Sequence, residues 1–323
     1  MQANQPGRIM LVTTVKDEGP NILEWISYHR MIGFTDIVVF QNNSFDTTEP
    51  ALRMLHTLGV IRYYNNDFRK EGVKLTYQNR AYRRAARLDM YGEADWCMAL
   101  DGDEFLKVNV GAGTVQDLIA AVGDADELRL NWRVFGSSHL RTLDERLVTE
   151  RFTLANEGSL PERQPMPVKT LFRTASFTRP GIHLPKTPKI DSTITRNGSG
   201  RAASDFITRG FQVTDPEPYK LAQVNHYMVK DSDSFLMKSA RGSSSHPDRA
   251  IALDYWRKRN VNTEPDLGLA NSADVLRHDI AALDARTGGR LTKQRNRALR
   301  QWRDRIATLK AQPEMAELYE QLV

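Results

Sequence analysis

The chain has 323 residues, a formal net charge of +5 and an isoelectric point of about 9.2. An apolar share of 40% with 26% charged residues suits a globular chain that can bury a sizeable core, and the basic balance suits anionic partners such as nucleotides, nucleic acid or acidic lipid. Cys97 is the single cysteine, which excludes an intrachain disulfide and a cysteine zinc site; with no basic-then-apolar start and no apolar run of about eighteen residues, neither a standard secretion signal nor a membrane span is expected.

Residues 8–15, Arg-Ile-Met-Leu-Val-Thr-Thr-Val, form an apolar, β-branched run that predicts a strand buried on both faces. The run ends in Lys16-Asp17-Glu18-Gly19-Pro20, where Pro20 suits a first helical turn, and Ile22, Leu23, Ile26 and Ile32 keep helical spacing up to Gly33. A second strand is expected over residues 36–40, followed by the polar run Gln41-Asn42-Asn43-Ser44-Phe45-Asp46-Thr47-Thr48. A helix carrying Leu52, Leu55 and Leu58 leads to a third strand over residues 60–64. A further helix, starting near Thr76 with Tyr77, Ala81, Ala85 and Leu88 on one face, precedes the strand that ends in Asp101-Gly102-Asp103.

This alternation predicts right-handed parallel crossovers and a Rossmann-like half sheet. Its polar loops, residues 16–19, 41–48 and 101–104, then share the rim at which open α/β sheets bind ligands. Asp101 and Asp103 lie two apart, so in extended backbone both carboxylates face one side, and Gly102 leaves room for a ligand. That chemistry suits a divalent cation shared with phosphates; a turn or strand cap is the plain alternative.

Beyond the triplet, Thr114-Val115-Gln116-Asp117 reads as a capping box opening a helix to Val122. Residues 128–135 alternate as a strand with one solvated or ligand-facing side, whereas the prolines at 161, 165, 167, 180, 185 and 188 predict long loops around a short strand at 168–173. Residues 219–230, centred on Val224-Asn225-His226-Tyr227, predict another strand, followed by a capped helix carrying Lys238 and Arg241. Residues 290–310 form a basic amphipathic helix with Leu291, Leu299, Trp302, Ile306 and Leu309 on its apolar stripe. Such a helix suits packing on the core with a solvated basic face, an anionic membrane surface, or a second copy of the chain.

Taken in order, Lys16-Asp17-Glu18, Leu23-Glu24-Trp25-Ile26-Ser27-Tyr28-His29, Ile32-Gly33-Phe34, Asn43-Ser44-Phe45-Asp46, Asp101-Gly102-Asp103-Glu104-Phe105, Asn131-Trp132-Arg133-Val134-Phe135-Gly136, Asn225-His226-Tyr227, Lys238 and Arg241-Gly242 resemble bacterial family-2-like glycosyltransferases and the related family 92 enzymes. The resemblance covers about residues 8–242. It implies an α/β GT-A fold, with a catalytic domain over residues 1–242 and a helical C-terminal extension over 243–323. Within that domain a nucleotide-binding half would span about residues 8–106 and an acceptor-side half about 107–242. The implied function is a hexosyl transfer from a nucleotide-diphosphate donor, expected to be a UDP-sugar, to a glycan or lipid-linked acceptor in bacterial surface polysaccharide synthesis.

By the same resemblance Asp101, Asp103 and His226 would hold Mn2+, with Mg2+ the alternative, since carboxylate oxygens plus one imidazole suit manganese. Lys238 and Arg241 would face the departing diphosphate. Donor contacts are expected from Thr13, Lys16, Glu18, Asn42, Asn43, Lys74, Gln78, Asn79 and Asp101, with Asn42 standing where the family has a base-reading aspartate. No acidic pair marks the catalytic base, for which Glu104, Glu150, Glu157 and Glu162 are the candidates.

Two other classes remain open. A sugar-1-phosphate nucleotidyltransferase would carry a glycine-rich, basic loop after its first strand, where only Gly19 stands. A noncatalytic carbohydrate- or nucleic-acid-binding module would not need the acidic pair and the histidine together. Nucleic acid is not an expected partner; the expected location is the cytoplasm, with peripheral inner-membrane contact through the basic helix.

Overall fold

The computed structural model describes residues 7–67, 75–159, 165–242 and 252–323. Its first part alternates as β1 (Ile9–Val15), α1 (Ile22–Met31), β2 (Asp36–Gln41), α2 (Thr48–Thr57), β3 (Arg62–Asn65), α3 (Tyr77–Ala85), a short α4 (Asp89–Glu93) and β4 (Trp96–Ala99). β5 (Glu104–Val108), α5 (Val115–Val122), β6 (Glu127–Val134), α6 (Val148–Arg151), β7 (Leu154–Ala155) and β8 (Met166–Arg173) follow. Then come β9 (Phe177–Arg179), β10 (Lys186–Pro188), β11 (Thr195–Asn197), β12 (Ile207–Arg209), β13 (Gln212–Thr214), β14 (Ala222–His226) and α7 (Ser232–Arg241). The last elements are α8 (Leu253–Arg259), β15 (Glu264–Pro265), α9 (Ala273–Ala285), α10 (Arg290–Lys310) and α11 (Pro313–Gln321).

The main sheet runs in the order β3-β2-β1-β4-β8-β6-β14-β5. Its first four strands are parallel, as the alternation requires; β1, β2 and β4 are buried on both faces, while the edge strand β3 is partly exposed. Ile9 and Leu11 of β1 pack with Trp25, Ile26 and Leu52 from α1 and α2, while Met10 and Val12 pack with Ala81, Tyr82 and Ala85 from α3. β8 then joins β4 antiparallel, and the remainder is mixed. A Rossmann-like half joined to a mixed half is the GT-A-like α/β architecture expected from the sequence.

Three expectations change. β6 is not half-solvated: all its residues but Arg129 are buried, because β8, β14 and β11 cover its edges and it crosses the middle of the sheet. β8 is not a short strand inside a loop but an eight-residue member at the centre of the sheet, and Pro167 is accommodated near its start. The short α4 is an addition. The capping box is as read: Thr114 accepts from the backbone of Asp117, whose side chain accepts from Thr114 in return.

α10 packs on the donor-side loops and on α7. Thr47 Oγ1 donates to Gln294 O at 2.6 Å, Arg295 Nε to Pro20 O at 3.0 Å, and Trp302 Nε1 to Asp46 Oδ2 at 2.9 Å. Leu299, Trp302, Ile306 and Leu309 are buried against Leu236 and Met237 of α7, while Arg290, Lys293, Arg297, Arg300 and Arg305 stay exposed. No helix among the described residues is long and apolar enough to cross a membrane.

Register decides which side chains of the mixed half meet. Residues directly paired in a ladder point to the same face, as do residues two apart on a strand. Lys169 pairs with Leu130, Val224 with Trp132, and His226 with both Val134 and Glu104. Lys169, Trp132, His226 and Glu104 therefore share one face, across four strands.

Candidate active site

The loops after β1 and β2 are stitched together by short polar side chains. Asp17 sits at φ 56°; its N–H donates to Ser44 Oγ at 3.0 Å and its carboxylate accepts from Phe45 N at 2.9 Å. Glu18 N donates to Thr48 Oγ1 at 2.8 Å and Gly19 N to Asp46 Oδ2 at 3.0 Å. A Cβ at Gly19 would lie 2.6 Å from Ala298 Cβ, so glycine is what lets α10 close on this loop. Burial pushes the Asp17 carboxyl up to about 6.

Of the expected donor contacts, Thr13 and Asn42 are buried at this rim, and Thr13 Oγ1 has no hydrogen-bond partner. Asn43 is held by Asp67, which accepts from its N–H at 2.6 Å, and by the Tyr77 hydroxyl, which accepts from Nδ2 at 3.0 Å. Gln78 reaches the acidic triplet, whereas Asn79 bonds back to the helix cap Thr76, through its N–H at 3.2 Å and Nδ2 at 3.1 Å. Lys74 lies outside the described residues.

The triplet corrects the sequence geometry. Glu104 N donates to Asp101 O at 3.0 Å, so residues 101–104 form a turn rather than an extended strand end, and the two carboxylates diverge. Asp101 accepts from Gln78 Nε2 and pairs with Lys169 Nζ at 3.0 Å. Asp103 instead lies 3.4 Å from His226 Nε2 and 3.4 Å from Lys238 Nζ. Burial works against its charge, but Lys238 and His226 hold its carboxyl well below the usual carboxylate range.

Beneath the triplet lies a buried ion cluster. Lys169 Nζ is 3.0 Å from Asp101 Oδ2 and 3.0 Å from Glu104 Oε2, and neither Lys169 nor Glu104 is exposed. Burial opposes the lysine's charge, yet Asp101 and Glu104 raise its pKa; burial raises that of Glu104, against the pull of Lys169. The other Glu104 oxygen lies 3.5 Å from His226 Nδ1, and both of those buried atoms lack a hydrogen-bond partner. Lys169 and Glu104 complete the centre, and the lysine's role was missed from sequence; the available signal was a cation inside the apolar run Val168-Lys169-Thr170-Leu171-Phe172.

In front of Asp103 opens a cleft lined among others by Asp17, Glu18, Lys230, Lys238 and Arg241. Lys230, also missed from sequence, sits at φ 56° with Nζ 3.6 Å from Glu18 Oε2. Lys238 Nζ donates to Met228 O at 2.6 Å and Arg241 Nη1 to Lys16 O at 2.6 Å. The start of α7 is set by Asp231, whose side chain accepts from Ser234 N at 2.8 Å. Strand and helix thus return from far along the chain to set three cations against Asp103.

Of the described base candidates only Glu104 lies at this centre. Glu104 is wholly buried; Glu150 accepts from Leu147 N at 3.1 Å and pairs with Arg277 of α9. Glu157 is exposed, and Glu162 lies outside the described residues. Among the described residues no three His, Cys, Asp or Glu side chains converge as a ligand set. Asp103 and His226 nonetheless fit a two-ligand site: Glu104 can accept from Nδ1–H, which turns the lone pair of Nε2 toward Asp103. Asp101 pairs instead with Lys169.

A model of glycosyltransferase family 92 matches residues 14–193. A glycosyltransferase family 92 protein of Ricinus communis is 26% identical over 173 residues, which are 52% of this chain and 30% of that protein's length. Among solved structures, residues 1–349 of S. aureus TarS give a TM-score of 0.32 at 15% identity, over 52% of this chain and 47% of that one. The same TarS fragment in complex with UDP-GlcNAc gives 0.32 at 13% identity, over 52% of this chain and 46% of that one. The family match covers more than half of the sequence, and the chain belongs to glycosyltransferase family 92.

Proposed function

We propose that this chain moves a sugar from a nucleoside-diphosphate donor, a UDP-sugar, to a glycan or lipid-linked acceptor in bacterial surface polysaccharide synthesis, with Mn2+ or Mg2+ as cofactor. The observation that carries the reading is the convergence of Lys230, Lys238 and Arg241 on the cleft beside Asp103 and His226. A leaving nucleoside diphosphate develops negative charge as the glycosidic bond breaks, and preorganised cations at that point stabilise the transition state. Asp103 and His226 Nε2 would hold the ion, which supplies charge neutralisation at the diphosphate; phosphate and water oxygens suit the remaining positions.

The other residues take supporting roles in this reading. Glu104 orients His226 and Lys169 rather than meeting an acceptor hydroxyl, because it has no exposed surface. Asp101 fixes Gln78, whose Oε1 is buried without a partner, while Thr13, Lys16, Glu18, Asn42 and Asn43 border the nucleotide. The exposed cations of α10 would serve a peripheral contact with anionic lipid on the cytoplasmic side.

The test is a screen of nucleotide sugars with and without manganese, read as released nucleoside diphosphate. Released UDP that requires manganese is the expected result. Pyrophosphate release from a nucleoside triphosphate plus a sugar phosphate would favour a nucleotidyltransferase, and no turnover or binding of any donor would favour a binding module.

A further inference from the structure

We propose that Trp132, His183 and Phe211 form a platform for a pyranose ring on the acceptor-side sheet, next to His226. This rests on the sugar-transfer reading above and adds to it a place for the sugar. The His183 and Phe211 rings stack in parallel, with centroids 4.2 Å apart and an interplanar angle of 11°. Trp132 bridges them to the centre, its ring 5.3 Å from that of His183 and 4.3 Å from that of His226.

The three are held from different elements. Trp132, on β6, shares the sheet face that also carries Lys169 of β8 and His226 of β14. His183, from the loop between β9 and β10, donates from Nδ1 to Val168 O at 2.9 Å, and its own carbonyl accepts from Thr170 Oγ1 at 2.7 Å. Phe211, from the turn between β12 and β13, accepts at its carbonyl from Val168 N at 3.0 Å. Val168 of β8 thus ties down the His183 ring and the backbone of Phe211, which brings the two rings together without a ligand.

Two observations point to a ligand. Phe211 leaves 44% of its surface in solvent, although it is stacked and anchored, which a ring serving only the core would not do. Trp132 is 9% exposed, and its indole N–H is buried with no hydrogen-bond partner among the described residues, a donor that is costly to leave unmade. Because Nδ1 of His183 must donate to a carbonyl, Nε2 of the neutral ring is left as an acceptor. The exposed side of the Phe211 ring, backed by the stacked His183 with its ring-nitrogen acceptor and by the N–H donor of the tilted Trp132, matches a pyranose, whose C–H face stacks while its hydroxyls both give and accept hydrogen bonds.

The sugar has two sources, the hexose of the donor and the terminal residue of the acceptor, and one experiment separates them. Saturation-transfer NMR is recorded on the full chain with diamagnetic magnesium, first with UDP-glucose, UDP-galactose and UDP-N-acetylglucosamine, then with the methyl glycosides of the same sugars in the presence of UDP. The variants are Phe211→Ala, at an exposed position that spares the fold, and Trp132→Phe, which keeps a ring and removes the N–H. The expected result is a several-fold loss of sugar-proton signal in both variants while the uridine signals keep their intensity. Loss confined to the nucleotide sugars assigns the platform to the donor hexose, and loss confined to the methyl glycosides assigns it to the acceptor. Sugar signals absent from the unaltered chain, or equally strong in the variants, overturn the platform. Absence of uridine signals in the unaltered chain would instead overturn the donor reading.

Discussion

In the parallel half of the sheet the strands are built to be buried and the loops to bind: the body of β1 and β2 is almost wholly apolar, while Asp17, Glu18, Asn42 and Asn43 stand beyond the strand ends. In the mixed half the strands themselves carry the polar groups, with Glu104 on β5, Trp132 on β6, Lys169 on β8 and His226 on β14. The difference follows from what each half can bury. Parallel strands covered by helices on both faces have no partner for a charge, so chemistry is confined to their rim. The mixed half brings ions of opposite sign to one face through its register, and there support and chemistry share the same atoms.

The largest test of that contrast removes the cation that underlies the triplet. Lys169→Met leaves Asp101 and Glu104 buried without their common partner, and stability is expected to fall by about 3–5 kcal/mol, measured by urea unfolding. At the cleft, by comparison, Asp103→Ala and His226→Ala should each cost about a hundredfold or more in manganese-dependent turnover while the fold survives. Unfolding of Lys169→Met at the same urea concentration as the unaltered chain would break the contrast, and full activity in either cleft variant would remove that residue from the site.

The same contrast explains what was legible in the sequence. The parallel half was legible because its strands are continuous apolar runs and a cap such as Thr76 acts within one turn of where it stands; the Thr114/Asp117 box that opens α5 is as local. Lys238, Arg241 and His226 were named from a motif pattern; the structure brings Lys238 and His226 to Asp103 and puts Arg241 in the lining of the same cleft. Lys169 was not found, because its meaning lies in pairing with residues more than sixty positions away: a cation inside an apolar run says that a partner exists, but not which residues supply it. The divergence of Asp101 from Asp103 was missed for a related reason: two residues apart means the same side only if the backbone is extended, and the Asp101–Glu104 hydrogen bond turns it. Lys230 owes its place to a positive φ that a sequence does not announce in a lysine.

A smaller test asks how rigidly α10 must hold the donor-side loops. Trp302→Phe keeps the packed ring but removes the donor to Asp46, an acceptor that also serves Gly19 and Thr48. The expected cost is about 1–2 kcal/mol, because the carboxylate keeps its other donors. If the loops after β1 and β2 need that anchor, apparent donor KM should rise with it; a stability loss with unchanged KM would make α10 a support of the fold alone.

The smallest expected effect distinguishes the rim from the ion cluster by its pH dependence. Asp17 has its carboxyl raised by burial to about 6, above the ordinary value of 3.8, so the folded chain binds its proton more tightly than the unfolded one. The stability this contributes is complete below the ordinary value and is lost as pH rises through about 6. Asp17→Asn keeps an acceptor for Phe45 N–H and suits the positive φ, since asparagine tolerates the left-handed region. The variant should therefore gain on the unaltered chain between pH 4 and pH 7, by about 1 kcal/mol after allowance for the nearby Lys16 and Arg241. Urea unfolding of both proteins across that range measures it. A difference that stays constant with pH would mean that Asp17 is charged in the folded chain throughout, held by the cations of the cleft, and the rim would then resemble the ion cluster beneath the triplet more than the apolar half sheet that carries it.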